Sequence, residues 1–261
     1  MKLDIYQIDA FAEKQFEGNP AAVVPLVEWL PDSVMQAIAE ENNLAETAFF
    51  VPSESGYHIR WFTPKKEVKL CGHATLASAY VLFNILGCKE KVLSFESLSG
   101  VLPVSKADNL LTLDFPVQTP EACSTPAALT AGLDKVPIEC LKHDDYVAVF
   151  ENEEDVLSIT PNHEALRQLD LRGVIATAPS SEFDFIARFF APKFGIPEDP
   201  VTDSAYTQLI PYWSGKLGKS QLQAKQVSSR GGKLLCELKG DRVLISGSAV
   251  TYMAGSIEIK T

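Results

Sequence analysis

The chain has 261 residues, of which 46% are hydrophobic and 22% charged, a composition typical of a globular protein with one large or two ordinary domains. Its formal net charge of −11 argues against a nucleic-acid-binding surface. The five cysteines show no CxxC spacing, and the N-terminal stretch has no signal-type apolar core. No run approaches 18 consecutive apolar residues. We therefore expect a cytoplasmic protein with free thiols and no membrane span.

The sequence of the first half predicts short strands and two helices. Strands are predicted at residues 3–8, 21–24, 44–51, 57–62, 92–95 and 110–115. A first helix should begin at Pro31-Asp32 and end at Asn42-Asn43. Residues 76–86 (LASAYVLFNIL) are apolar on every side, so they should form a buried helix that ends at Gly87.

The second half follows the same scheme after a predicted linker at Pro116 and residues 118–130. Strands are expected at 146–150, 173–178, 183–190 and from 232 onward, with a short helix at 162–169 and turns at 239–241 and 246–247. A second apolar helix should follow residue 202, and Pro211 should kink or shorten it. Strands outnumber helices, so we predict an α+β fold in which each half wraps a sheet around one apolar helix.

An internal repeat divides the chain in two. Residues 60–65 (RWFTPK) match residues 188–193 (RFFAPK), and each is followed by a short polar motif, CGHAT at 71–75 and TDSAY at 202–206. The second copy has three extra residues between its proline and its alanine. A period of half the chain predicts two similar domains rather than a solenoid. Facing each other, they would place both helix N-termini at one interdomain cleft, which suits an anionic ligand.

Four polar residues are candidates for chemistry. Glu46 enters an apolar strand, where partial desolvation favours a proton-holding general base, although a solvent-facing strand residue would look the same locally. His73 and Ser204 occupy equivalent places in the repeat and could bind polar substrate groups, but His73 could equally be a helix cap. Asp199 lies in the sequence PEDP, which suits either a rigidly held acid or a turn-forming aspartate.

Other chemistries have weaker support. The four histidines show no metal-ligand spacing, and no glycine-rich nucleotide motif is present, so we predict no metal and no cofactor. Cys71 aligns with Thr202, so the two thiols that some racemases use on opposite faces of a carbon are not both present. A proton-transferring enzyme would therefore need another base, and Glu46 is the best-placed carboxylate.

Four motifs together carry a family resemblance: FEGNPAAVV at 16–24, NLAETAF at 43–49, LCGHATLA at 70–77 and EDPVTDSA at 198–205. With them the chain resembles the PhzF family of phenazine-biosynthesis-like isomerases over almost its whole length. The resemblance implies two pseudo-symmetric domains of the diaminopimelate epimerase-like fold, each a barrel-like sheet around a central helix. We place the halves at 1–117 and 118–261, with the C-terminal strand as a candidate to complete the first half.

The resemblance also implies a homodimer and cofactor-independent proton transfer on a small molecule. By position in the family motifs, the catalytic residues would be Glu46, His73 and Asp199. The substrate-binding residues would be Asn19, Gly72, Asp203 and Ser204. We therefore predict a cofactor-independent isomerase or epimerase that moves a proton on a small carboxylated metabolite through a glutamate acid/base. The alternatives are a non-catalytic binding protein of the same fold and a thiol enzyme built on Cys71 and His73.

One position departs from the family pattern. The family usually has glycine where this chain has Asp203. We expect the Asp203 carboxylate to cap the second helix and to repel a substrate carboxylate beside Ser204. That change would alter ligand preference or abolish activity.

Overall fold

The computed structural model describes residues 1–260, which form two compact units. The first unit contains Met1–Asp114 and the chain from Ser246 onward, and the second contains Phe115–Ile245. The first unit is therefore discontinuous in sequence, because its last strand comes from beyond the second unit.

The described residues contain six α-helices and eighteen strands. The helices are α1 (Asp32–Asn42), α2 (Gly72–Tyr80), α3 (Ala127–Leu133), α4 (Glu153–Leu157), α5 (His163–Leu166) and α6 (Asp203–Leu217). The strands of the first half are β1 (Lys2–Ala10), β2 (Asn19–Pro25), β3 (Glu46–Ser53), β4 (Gly56–Phe62), β5 (Glu67–Val68), β6 (Val92–Ser97), β7 (Gly100–Ala107) and β8 (Leu110–Pro116). Those of the second half are β9 (Glu121–Ala122), β10 (Glu139–Lys142), β11 (Tyr146–Val149), β12 (Val174–Pro179), β13 (Phe185–Ala191), β14 (Ile196–Asp199), β15 (Gln221–Gln226), β16 (Gly232–Lys239), β17 (Arg242–Gly247) and β18 (Ala249–Glu258).

The two units have the same strand topology. In the first, the order is β18–β1–β2–β3–β4–β6–β7–β8, antiparallel except for the parallel pairs β2–β3 and β4–β6. In the second, the order is β9–β10–β11–β12–β13–β15–β16, antiparallel except for β11–β12 and β13–β15. The parallel pairs fall at equivalent places, so the sequence repeat reflects two copies of one α+β architecture.

Each unit packs one largely buried helix against its strands, α2 in the first and α6 in the second. Helix α2 packs against β1, β2, β3, β7 and β18, which are strands from both ends of its sheet. Every residue from Gly72 to Ala79 is buried, so the helix begins before the predicted start at residue 76, and the predicted burial is confirmed over 76–79. The helix then widens into a π-helical turn at Val81–Ile85, where the Leu86 N–H bonds to the Val81 carbonyl at 2.9 Å. The prediction of burial is wrong for the end of this run, because Leu86 is 50% exposed.

The repeated arginines explain the repeated motif. Arg60 donates two hydrogen bonds of 2.7 and 2.8 Å to the Glu67 carboxylate. Arg188 donates two of 2.7 and 3.0 Å to the Glu198 carboxylate. The partners are seven residues apart in the first unit and ten in the second, which is where the three extra residues are accommodated. Each forked pair fixes the turn that leads into the central helix of its unit.

Helix α6 is longer than we predicted from the proline in its sequence. Pro211 lies inside its 15 residues and lacks the N–H that would bond to the carbonyl of Thr207. The backbone N–H of Gln118 takes that place and donates to the Thr207 carbonyl at 3.1 Å. Of the two predicted effects of Pro211, a kink or a short helix, the short helix is therefore wrong.

The predicted linker is also wrong in part. Residues 118–130 contain the short strand β9 and the first turn of α3. Leu129 and Leu133 of α3 are fully buried in the core of the second unit, beside α4, α5 and the strands β10 to β13. The stretch therefore belongs to the second unit. Among the described helices, none is long and apolar enough to cross a membrane.

Candidate active site

Glu46 and His73 meet in the first unit. Glu46 is the first residue of β3 and pairs with Ala21 of β2, while His73 is the second residue of α2. The Oε2 atom of Glu46 lies 3.2 Å from Nε2 of His73, and their side chains are only 14% and 7% exposed. The atoms are within ion-pair distance, although their orientation is outside ideal hydrogen-bond geometry. The structure thus brings together two of the three predicted catalytic residues.

The other ring nitrogen of His73 faces two more side chains. Its Nδ1 lies 3.5 Å from the Cys71 thiol sulfur and 3.5 Å from the Asn19 amide nitrogen. Cys71 is the residue immediately before α2, and Asn19 begins β2 and is fully buried. A tight turn at Gly18 places Asn19 there. Gly18 has a φ of +67° and lies so close to the Ala10 carbonyl that a side chain would not fit.

The surroundings of His73 favour its charged form. Burial alone lowers the pKa of the imidazole, but the Cys71 sulfur and the Glu46 carboxylate outweigh burial and raise the pKa of His73 well above its usual value. The charged ring then lies 3.2 Å from the Glu46 carboxyl group. The arrangement is therefore an acid and a base held in contact within one buried cluster.

Gly72 provides the backbone of this site. It is the first residue of α2 and is buried. The first backbone N–H groups of a helix have no helical acceptor, and they carry the positive end of the helix dipole. The start of α2 can therefore stabilise a negative charge next to His73 and Glu46.

Asp199 lies in the second unit at the end of β14. Its Oδ2 accepts a hydrogen bond of 2.5 Å from the Thr202 hydroxyl. The fully buried amide of Gln226 holds this segment in place: its Oε1 accepts from the Thr202 backbone N–H at 2.9 Å, and its Nε2 donates to the Asp199 carbonyl at 2.8 Å. Asp199 is therefore positioned by neighbouring hydrogen bonds rather than left to a flexible turn.

Ser204 lies at the start of α6 in a place equivalent to that of His73. It is the second residue of α6, and its hydroxyl accepts a hydrogen bond of 3.0 Å from Nη2 of Arg172. Arg172 also makes a forked ion pair with the fully buried Asp145, whose Oδ2 accepts a further bond of 3.0 Å from Gln208 of α6. Arg172 therefore links Ser204 to Asp145, which is in turn held by Gln208 of the same helix.

The prediction that Asp203 caps α6 is wrong. Thr202 occupies the capping position, and Asp203 is the first helical residue. Burial opposes the charge on Arg172, but Asp145, with smaller Coulomb contributions from Asp203 and Asp144, raises the pKa of its guanidinium. Arg172 thus offsets part of the negative charge that the sequence suggested would repel a substrate carboxylate.

Sequence reasoning missed Arg172, Gln226 and Asp145. None of the three belongs to a motif, and each has other polar residues close by in sequence that gave no reason to single it out. Sequence spacing also gave no sign of a metal-ligand set, yet Glu46, Cys71 and His73 place one donor atom each within 4.8 Å of one another. Two of these donors are adjacent in sequence to the helix start, and the third is supplied by a distant strand.

Comparison with known proteins identifies the relatives of this chain. The model of the phenazine biosynthesis-like protein family (PhzC–PhzF) matches residues 8–255. The chain belongs to this family. An uncharacterised isomerase of Pseudomonas aeruginosa is 49% identical over 259 residues, which span 99% of this chain and all of the relative. A crystal structure of a PhzF-family protein from Enterococcus faecalis is 48% identical and covers 99% of this chain and 100% of its own, with a TM-score of 0.97.

The fold reaches beyond the PhzC–PhzF family. A hydroxyproline epimerase from Agrobacterium vitis, solved with bound trans-4-hydroxy-L-proline, matches with a TM-score of 0.63 at 10% identity and covers 98% of this chain and 92% of its own. At that identity the likeness concerns the fold alone. The predicted family and its epimerase-like α+β fold are thus confirmed, and the chain is an isomerase of the phenazine biosynthesis-like family.

Proposed function

We propose that this protein moves a proton between two positions of a small carboxylated metabolite, with Glu46 as the acid/base and without a cofactor. The observation that carries the proposal is the 3.2 Å contact between Glu46 and His73 inside a cluster that is almost closed to solvent. A glutamate side chain in such a place is able to take a proton from carbon and return it.

The other residues of the first unit have roles in this proposal. A proton removed from carbon beside a carboxylate or carbonyl leaves negative charge on oxygen. The charged ring of His73 and the backbone N–H groups at the start of α2, beginning with Gly72, would stabilise that charge. Asn19 would hold His73 in place from the β2 side through its 3.5 Å contact.

The second unit would supply further substrate contacts. The Ser204 hydroxyl accepts its hydrogen bond from Arg172, so its own proton can still be donated to a substrate oxygen. Asp199 is the proposed second acid or hydrogen-bond partner. That these residues act together with Glu46 on one substrate stays a prediction, as do the homodimer, the cytoplasmic location and the absence of a cofactor.

The alternative of a non-catalytic binding protein loses its main support. It depended on an uncompensated carboxylate at Asp203, whereas Arg172 lies close enough to interact with that charge. A binding protein also has no need of a buried carboxylate in contact with a cationic imidazole.

The test begins with a thermal-shift screen of small carboxylic acids, trans-4-hydroxy-L-proline among them, since a ligand of the native state raises its melting temperature. Hits are then incubated with enzyme in D2O, and the loss of carbon-bound proton signals is followed by NMR. Glu46→Gln should bind the hit with little change and should abolish the exchange. Glu41→Gln, the same change at the exposed end of α1, serves as the control and should exchange normally.

Exchange that persists in Glu46→Gln would refute the role of the glutamate. Tight binding of a ligand by the wild-type protein without any exchange would instead support the binding-protein alternative.

A further inference from the structure

The cluster in the first unit contains a thiol that the proton-transfer proposal does not use. The Cys71 sulfur lies against Nδ1 of His73, and the Glu46 carboxylate lies against Nε2 on the other side of the same ring. We propose that Cys71, His73 and Glu46 form a nucleophile–base–carboxylate triad that gives this protein a second chemistry, acyl transfer from a small activated ester or thioester to the Cys71 thiol and then to water.

The order of the three groups supports this assignment. An activated nucleophile requires a base within hydrogen-bond reach, and that base must be oriented by a third group. Here the sulfur is 3.5 Å from Nδ1, and Nε2 is 3.2 Å from Glu46 Oε2. The Glu46 carboxylate beside Nε2 and the sulfur beside Nδ1 both favour the charged ring, so the thiol proton rests on Nδ1 and the sulfur is a thiolate paired with the imidazolium.

Two adjustments are needed for the triad to work. The Asn19 amide also lies 3.5 Å from Nδ1, so it must leave that nitrogen to the sulfur. The Nε2–Oε2 contact must also rotate into line, since its angles are outside hydrogen-bond geometry. The sulfur–Nδ1 contact is long and the Nε2–Oε2 contact is poorly aligned. Catalytic hydrogen bonds in unliganded enzymes commonly tighten only when the substrate binds.

The start of α2 supplies the remaining part of an acyl-transfer site. Cys71 is the N-cap residue, with an extended backbone, and its side chain makes no capping hydrogen bond. The positive end of the nine-residue helix stabilises a thiolate there. The N–H groups of Gly72 and His73 follow directly, so they can donate to the oxyanion formed when the thiolate attacks a carbonyl.

The bonds of the reaction balance without an external oxidant or reductant. His73 holds the thiol proton while the thiolate sulfur bonds to the carbonyl carbon, and the resulting tetrahedral oxyanion collapses. The leaving alkoxide or thiolate departs with the proton from His73, and a thioester remains on Cys71. Water, deprotonated by His73, then attacks this thioester, and the released thiolate recovers the proton.

The first experiment measures the reactivity of Cys71 toward iodoacetamide in the intact protein, mapped by peptide mass spectrometry. The thiolate fraction of an ordinary thiol falls roughly 75-fold between pH 8 and pH 6. Alkylation of Cys71 should fall by less than about fivefold over the same range, because the His73 pair retains the thiolate. Cys88 and Cys123 are both more exposed than Cys71, and their alkylation is followed in the same digest for comparison.

The variant His73→Asn should restore the ordinary steep pH dependence at Cys71 without removing the thiol. An ordinary pH dependence in the wild-type protein would overturn the proposal, as would failure of Cys71 to react at either pH. A flat pH profile that survives in His73→Asn would do so too, because the imidazole would then not be the base.

The second experiment uses p-nitrophenyl acetate as the acyl donor. Release of p-nitrophenol should show a burst, and acid-quenched protein should carry one acetyl group on Cys71. The burst should vanish in Cys71→Ser and persist in Cys123→Ser. Acetylation at a lysine, or no burst at all, would overturn the proposal.

Glu46→Gln separates this inference from the proposed isomerase function. Glutamine can still accept a hydrogen bond from Nε2, so the burst should slow by about tenfold rather than disappear. Proton exchange on a carboxylic-acid hit depends on the charge of Glu46 and should be lost in the same variant. Either activity can therefore fail without the other.

Discussion

The Gln226 amide gives the clearest prediction about how the second unit holds Asp199. Its side chain is fully buried and makes three hydrogen bonds, of 2.9 Å from the Thr202 backbone N–H, 2.8 Å to the Asp199 carbonyl and 3.2 Å to the Thr202 hydroxyl. Gln226→Ala removes all three. The Thr202 backbone N–H and the Asp199 carbonyl, both buried, then lose these partners.

The expected cost follows from those two backbone groups. A buried polar group without a partner costs about 1–3 kcal/mol, and the truncated side chain leaves a small cavity as well. We therefore expect Gln226→Ala to lower the free energy of unfolding by about 3 kcal/mol. Gln223→Ala, at an exposed site on the same strand, should change it by less than about 0.5 kcal/mol.

Urea unfolding followed through tryptophan fluorescence measures this difference, and in a background with Trp29 and Trp61 replaced by Phe the signal comes from the buried Trp213 of the second unit. Hydrogen exchange on the peptide that contains residues 199–204 adds a local measure, because the Thr202 amide should lose its protection. If Gln226→Ala unfolds like Gln223→Ala and the Thr202 amide stays protected, the Gln226 bonds do not position Asp199, and the reasoning fails.

Three further predictions concern other parts of the chain. The pKa of His73 is raised in the folded state, so its protonation stabilises the fold. That contribution is fully present below about pH 6.5 and is lost as pH rises through the higher folded-state pKa. The difference in urea midpoint between wild type and His73→Asn should therefore shrink from pH 6 to pH 9. Arg188→Lys cannot keep the forked pair and should cost about 2 kcal/mol in urea unfolding, whereas Arg167→Lys at the surface should cost almost nothing. Cys123 and Cys140 have sulfurs 3.6 Å apart, so mild peroxide should join them, with a mass loss of two hydrogens that Cys123→Ser prevents.

The repeat was the feature of the sequence that predicted the fold best. It could be found because the forked arginine pairs and the polar helix starts recur in order, and both depend on local geometry that a sequence records. Cys71 and Thr202, aligned from the sequence, both prove to be N-cap residues. Strands and helices with strong apolar patterns, such as β1 and α1, were likewise placed within a few residues.

The parts that sequence could not predict depend on contacts between distant residues. Pro211 is tolerated because Gln118, far along the chain, replaces one backbone hydrogen bond. The charge of Asp203 is offset by Arg172, about thirty residues earlier, and the Asp199 turn is held by Gln226. No periodicity or spacing rule links such pairs, so an isolated polar residue gave no sign of its partner.

The pairing of β1 with β18 has a consequence for how the chain folds. Tyr6 of β1 lies opposite Ala254 of β18, more than two hundred residues downstream. The second unit is continuous in sequence, so during translation it can form its core before β18 has been synthesised. Until then the edge of β1 that pairs with β18 has no partner strand. An unpaired strand edge readily captures other nascent chains, so we expect slow translation or truncation before β18 to favour aggregation of the first unit.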